Sequence, residues 1–231
     1  MHAEHKEEQT WSHRMVHELA QRPVIYDALR WLLEAGYHGE RAVLNRERIA
    51  EAKFVLDLGC GTGALAQMCP APRYVGIDPN ARYIHRAQER HPQRRFCLMN
   101  GTALGFTSGT FDVVVISGVV HHLSDGDGRA LLREARRVLN PQTGRLVMWE
   151  DVAARSRWNV VGRLVHRLDE GEHIRSSQAY SGLVRSVFGN ARSYGMTSGI
   201  CDYVVVTAEV RPRSSAAPAM DRTAGVGAVS R

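Results

Sequence analysis

A short apolar run that breaks into alternating glycines constrains this chain more than any other feature: Lys53-Phe-Val-Leu-Asp-Leu58, then Gly59-Cys60-Gly61-Thr62-Gly63. β-Branched and aromatic residues in so short a run favour a buried strand over a helix. Glycines at its end let the backbone turn through conformations closed to residues with a Cβ. They also let a ligand lie against bare backbone at the start of the next helix, expected near Thr62. Strands and helices then alternate. Arg73 to Asp78, Arg95 to Met99, Phe111 to Ser117 and Arg145 to Trp149 read as strands, with Asn80 to Arg90 and Asp125 to Leu139 as helices.

This alternation predicts an α/β fold: a Rossmann-like, doubly wound sheet, mostly parallel with an antiparallel C-terminal strand, and helices on both faces. Ahead of it, Val24, Ile25, Ala28, Leu29, Leu32 and Leu33 recur at helical spacing between Pro23, a suitable first residue, and Gly36, a suitable stop. Behind it come helical stretches at Trp158 to Leu168 and Ser177 to Phe188. Strands at Ala191 to Tyr194 and Tyr203 to Val210 follow, joined through Gly195 to Asp202 as a hairpin. The expected organisation is a polar segment over 1–22, a single domain with an N-terminal lid helix over 23–210, and a disordered basic tail over 211–231.

With 231 residues, 44% of them hydrophobic, the chain can bury a full core. It shows no apolar run long enough to span a membrane and no secretory leader, so a cytoplasmic location is expected. Cys60, Cys69, Cys97 and Cys201 form no CxxC pair, which argues against a zinc site or a disulfide framework. No metal is expected. The formal charge of +6 could favour an anionic partner. Its arginines are dispersed, however, and Arg129, Arg133, Arg136 and Arg137 read as the solvated face of one helix in preference to a nucleic-acid surface.

Asp78 closes the second strand about 20 residues after the glycine turn begins, the offset at which a carboxylate accepts hydrogen bonds from both ribose hydroxyls. Turn and acid together imply bound adenosine. No GK[ST] follows the glycines, so no lysine is placed to reach a phosphate, and GxGxG departs from the dinucleotide GxGxxG.

The whole stretch Val55-Leu-Asp-Leu-Gly-Cys-Gly-Thr-Gly63 resembles the first motif of class I S-adenosylmethionine-dependent methyltransferases, in particular the small bacterial methyltransferase-11/25 type. Tyr74 to Asp78, Phe111 to Val115, Gly118 to Leu123, Arg137 to Pro141 and Gly144 to Val147 continue the similarity in order. The resemblance implies S-adenosyl-L-methionine as cofactor. It places Gly59, Gly61 and Gly63 along the methionine and ribose, Asp57 at the methionine amine through water, and Asp78 with the adjoining Pro79 at the ribose. Asn100 falls where the family usually has an aspartate receiving the adenine amino group; with Gly101 and Thr102 it would border the adenine, while Ser117 and Gly118 line the methionine end. An asparagine there is a departure, since a neutral acceptor makes the weaker contact.

Methyl transfer is a direct displacement that alignment alone can promote, and a general base matters only when the acceptor must lose a proton. His121 and His122, following the fourth strand, are the candidate bases. Cys60 reads as a small buried residue. The segment from Leu168 to Arg175 is similar to one in small bacterial methyltransferases that shapes the acceptor pocket, which makes His173, Arg175 and Tyr180 acceptor-side candidates, with Arg175 alternatively paired to Asp169 or Glu172. The expected partner is a small-molecule acceptor. Nucleic-acid methylation stands second; an NAD-dependent oxidoreductase and a non-catalytic cofactor-binding protein are the readings from other classes. Nothing in the sequence fixes the oligomeric state.

Overall fold

A computed structural model of the chain describes residues 31–152 and 173–210. Most of the N-terminal helix, including Val24 to Leu29, the stretch Trp158 to Leu168, and the segments 1–22 and 211–231 lie outside the described residues.

The core is a seven-stranded sheet in the order β3-β2-β1-β4-β5-β7-β6. Its strands are β1 (Phe54–Leu58), β2 (Arg73–Asp78), β3 (Arg95–Leu98), β4 (Val113–Ser117), β5 (Arg145–Asp151), β6 (Arg192–Ser198) and β7 (Cys201–Glu209). β1 to β5 pair in parallel, whereas β7 runs antiparallel to both β5 and β6. Strand order reverses between β1 and β4, so the carboxyl ends of these two strands flank the crevice in which such sheets bind ligands. β4 is central and apolar up to its last residue, Val113, Val114, Val115 and Ile116 being fully buried. A continuous hydrophobic run is what a strand covered on both faces requires; each such side chain contributes about 1.5–3 kcal/mol on burial.

Helix α1 (His38–Arg46) and α2 (Ala81–Arg90) cover one face, and α3 (Asp125–Val138) and α4 (Ser177–Phe188) the other. Three of them start at sequence-legible caps: the side chains of Asn80, Ser124 and Ser176 accept backbone N–H groups of the first turn of α2, α3 and α4. No described helix is long and apolar enough to cross a membrane.

Three boundaries differ from expectation. The helix expected near Thr62 is only a 3₁₀ turn over Leu65–Gln67. Pro70 and Pro72 follow closely, and a residue before proline is pushed out of the α region, so the segment turns into β2 instead of extending. The final hairpin is longer and tighter than expected, with residues 195–198 in β6 and a turn at Gly199-Ile200. Helix α1 was not foreseen: within it only Val43 and Leu44 are large buried apolar residues, and Tyr37 at its N-cap gives no side-chain cap.

α1 is held instead by a buried polar cluster. Ser198 Oγ lies 2.7 Å from Glu40 Oε2 and 2.9 Å from the Glu34 carbonyl, with its one proton available to either, and accepts from Gly39 N (3.1 Å). This ties the end of the N-terminal helix, α1 and the hairpin tip together. Burial, followed by hydrogen bonding and repulsion from the Glu34 carboxyl, pushes the Glu40 carboxyl up to about 8, against the pull of the Ser198 hydroxyl in the other direction. A folded-state value raised above the unfolded one means stability fully present below the ordinary glutamate range and lost as pH rises through about 8. We therefore expect the melting temperature to fall as pH rises from about 5 to about 8 and to level off above that. Glu40→Gln, which keeps a neutral acceptor beside Ser198, should abolish most of that fall in a thermal-melt series. A wild-type curve flat across this range would refute the raised Glu40 carboxyl.

Candidate functional site

At the carboxyl end of β1 the backbone N–H groups of Gly59 and Cys60 both donate to the Ile77 carbonyl (2.8 and 2.9 Å), which folds the glycine turn over the end of β2. Gly59, Gly61 and Gly63 adopt φ of 83°, 51° and 82°. At Gly59 the requirement is also steric, because a Cβ there would meet Val119 Cγ2 at 2.3 Å. At Gly61 a Cβ would meet nothing within 4 Å, so the turn presents bare backbone to open space.

Asp78 stands opposite. Its Oδ2 accepts from Gly61 N (3.0 Å) and its Oδ1 from Asn80 N (2.8 Å), so one carboxylate braces the glycine turn and the start of α2 together. Each oxygen of an ionised carboxylate has two acceptor directions. One direction on each oxygen therefore remains, the pair needed to receive two vicinal hydroxyls. Burial raises the Asp78 carboxyl above its ordinary range, offset in part by the N–H donors of Asn80 and Gly61. Pro79 is exposed beside it.

Asp57 is placed differently from the sequence expectation. It is 1% exposed, and its Oδ2 accepts the Tyr74 hydroxyl proton, which anchors β1 to β2 beneath the turn. Asn100 is exposed, and its Oδ1 accepts from both the backbone N–H (2.9 Å) and the hydroxyl (3.0 Å) of Thr102. Only an oxygen can accept a backbone N–H, so the amide is fixed with its NH₂ outward. The expected acceptance of an adenine amino proton by Oδ1 gives way to a donor at this position. Gly101 beside it is buried, where a Cβ would crowd Leu58 Cδ2 at 2.9 Å. Burial pushes the Cys60 thiol up, which fits a packing residue and not a nucleophile.

Ser117 and Gly118 end β4, half-buried, and Gly118 N donates to the Trp149 carbonyl (3.0 Å). The next loop is organised by a residue that sequence reasoning missed. Glu150, near the end of β5, is fully buried and accepts from Val119 N (3.0 Å), Val120 N (2.8 Å) and His121 N (3.3 Å), and it pairs with His121 Nδ1 at 2.8 Å. The signal was an acid closing an apolar strand, Leu146-Val-Met-Trp-Glu150. His121 is 3% exposed; His122 is exposed and its ring lies against that of His121, tilted by 48° with 4.0 Å between centroids. A carboxylate only accepts, so in the neutral His121 ring Nδ1 carries the proton and Nε2 the lone pair.

Two of the acceptor-side candidates serve as structure. Arg175 donates to the carbonyls of Val120 (2.8 Å), Leu123 (2.7 Å) and His173 (3.0 Å) and to Asp125 Oδ1 (2.8 Å), so its charge is engaged in clamping the loop ahead of α3. Among the described residues its carboxylate partner is Asp125, fifty residues away; Asp169 and Glu172, the partners suggested by the sequence, lie outside the described residues. Tyr180 is fully buried, and its hydroxyl oxygen accepts from Arg175 N (3.2 Å). His173 is exposed, and its N–H donates to the His121 carbonyl (3.0 Å), which brings the 173–175 stretch against the histidine loop.

Residues 55–142 match the model of a family described as "Methyltransferase domain". The human thiol S-methyltransferase TMT1B is 39% identical over 107 residues, 43% of this chain and 43% of that protein. A demethylmenaquinone methyltransferase from Streptomyces griseus is 35% identical over 112 residues, 48% of this chain and 47% of that protein. The chain thus spans less than half the length of these curated relatives. Among solved structures, human N-acetylserotonin methyltransferase in complex with SAM is similar in fold, with a TM-score of 0.60 at 18% identity over 82% of this chain and 57% of that one.

Proposed function

We propose that the protein, whose residues 55–142 match the family described as "Methyltransferase domain", is a class I S-adenosylmethionine-dependent methyltransferase that moves a methyl group from this cofactor to a small-molecule acceptor. The observation that carries the reading is the facing of Asp78 and the Gly61 turn: a braced carboxylate with one acceptor direction left on each oxygen, beside backbone that no side chain covers. When bound, S-adenosylmethionine supplies a methyl carbon activated by an adjacent sulfonium.

The chain's own residues bind and orient. Asp78 receives the ribose hydroxyls, and the turn from Gly59 to Gly63 admits the chain of atoms between ribose and methionine. Asn100 donates through its outward NH₂ to a ring nitrogen of the adenine, with Gly101 and Thr102 alongside. Ser117 and Gly118 flank the methionine end. Asp57 contributes from below, by fixing Tyr74 and the β1–β2 pairing under the turn. The Glu150 carboxylate holds the loop from Val119 to His121 against this end of the sheet, and it sets the tautomer in which His121 Nε2 accepts a proton. That ring suits an acceptor that reacts after losing a proton, such as a hydroxyl or thiol, and one relative is a thiol S-methyltransferase.

Calorimetric titration of the purified chain with S-adenosylhomocysteine and with NAD tests the cofactor. Binding of the former in the micromolar range, with none of the latter, is the expected result. Binding of NAD alone, or of neither, would remove the basis of the proposal.

A further inference from the structure

A cleft of about 630 Å³ opens between α3 and α4, and Arg129, Arg133, Arg136 and Arg137 line it. It lies far from the glycine turn. Ser108 and Gly109, which lead into β4, Leu139 and Pro141, which lead into β5, and Val210, which follows the antiparallel β7, all border it. These positions define the amino end of the parallel strands, opposite the end that carries Gly61, Asp78 and Ser117.

The arginines are not a uniformly solvated face. Arg137 is fixed: its guanidinium meets both Glu134 oxygens (2.7 and 2.8 Å) and donates to the carbonyls of Leu104 and Phe106 (2.8 Å each). Glu134 is thereby neutralised from within, and among the described residues no carboxylate lines the cleft. Asp125, in the first turn of α3, is held by Arg175 at 2.8 Å and approached by Arg129 only at 3.8 Å. Arg133 and Arg136 are exposed, and among the described residues neither has an acidic partner. At a rise of about 1.5 Å per residue, Arg129, Arg133 and Arg136 succeed one another along α3 at intervals of about 6 and 4.5 Å. A row of guanidinium forks at that interval matches adjacent phosphate groups, which arginine engages in a bidentate manner.

The floor is apolar, formed by Leu139, Pro141, Val187 and Val210. The volume falls in the range of small-molecule sites, roughly 300–1,000 Å³. Among the described residues no aromatic ring lines it to stack a nucleobase, as happens in single-strand nucleic-acid grooves. We propose that this cleft is a second ligand site, distinct from the methyl-transfer site, which takes a small molecule carrying a diphosphate joined to an apolar group. The arginine row holds the two phosphates and the floor takes the apolar part.

The test is calorimetry on the full chain with inorganic pyrophosphate and with decyl diphosphate. Both should bind, the alkyl compound more tightly because its chain covers the floor. The double charge reversal Arg133→Glu/Arg136→Glu should weaken both by about tenfold or more, while S-adenosylhomocysteine affinity and melting temperature stay unchanged. Binding of neither compound would overturn the proposal, as would binding unaffected by the charge reversal. Two parallel arms separate other polyanions. Binding confined to an RNA oligonucleotide, with a steep salt dependence, or confined to phosphatidylglycerol vesicles would replace the diphosphate ligand by a macromolecular surface.

Discussion

Asp78→Ala is expected to weaken S-adenosylhomocysteine binding by about a hundredfold or more, measured by calorimetry against a wild-type control with the same circular-dichroism spectrum. Hydrogen bonds to a charged group are worth about 1.5–3 kcal/mol each, and about 1.4 kcal/mol is a factor of ten in affinity, so losing two ribose contacts gives this magnitude. The substitution also removes the acceptor of the Gly61 and Asn80 N–H groups, which frees the turn that faces the ligand. Asp78→Asn should fall between: one carbonyl oxygen remains, and it can serve a backbone donor or a hydroxyl more readily than all of them. Because burial raises the Asp78 carboxyl above its ordinary range, and the ionised form receives the hydroxyls, affinity should decline on acidification earlier than an ordinary aspartate would dictate. An affinity in Asp78→Ala within a factor of about two of wild type would mean that the ribose lies elsewhere.

The elements legible in the sequence were those whose signal is local. β2 and α4 carry the bounds expected of them, since a strand closed by Asp78 and a helix capped by Ser176 announce their ends within a few residues. The glycine turn and Asp78 were legible for the same reason, being one motif and one offset. What escaped depends on distant partners. The segment after Gly63 is too close to Pro70 to become a helix, although its residues favour one. α1 has a polar sequence and owes its place to Ser198, more than 150 residues away. Arg175 looked like a recognition residue because its Asp125 and carbonyl partners are about fifty residues upstream. Asn100 could be flagged as a departure, but the direction of its amide follows from Thr102, which fixes the oxygen inward.

Glu150→Ala should have the largest effect on stability of any single change at this site. The carboxylate is fully buried and is the acceptor for three consecutive backbone N–H groups and for the His121 ring. Alanine would leave all of these without an acceptor, and removing one partner of a buried charge-assisted pair costs about 3–5 kcal/mol. For a domain of this size that corresponds to a fall in melting temperature of about 10 °C. Glu150→Gln should cost less but remain destabilising, because its NH₂ would face donors on at least one side. The two variants also separate bracing from orientation. In the wild-type protein, nitrogen-detected NMR of the imidazole should find the proton on Nδ1 of neutral His121; in Glu150→Gln the ring should shift toward the Nε2–H tautomer, which presents a donor where a base needs a lone pair. Loss of stability with an unchanged tautomer would leave Glu150 as a loop brace alone. A changed tautomer in a folded Glu150→Gln protein, with methyl transfer to a hydroxyl or thiol acceptor reduced and cofactor affinity retained, would make it the residue that positions the base. That division follows from the geometry: the proposed ribose contacts gather at the ends of β1 and β2 around Asp78, whereas the histidine is governed from β5, so damage to one half of the site should leave the other measurable.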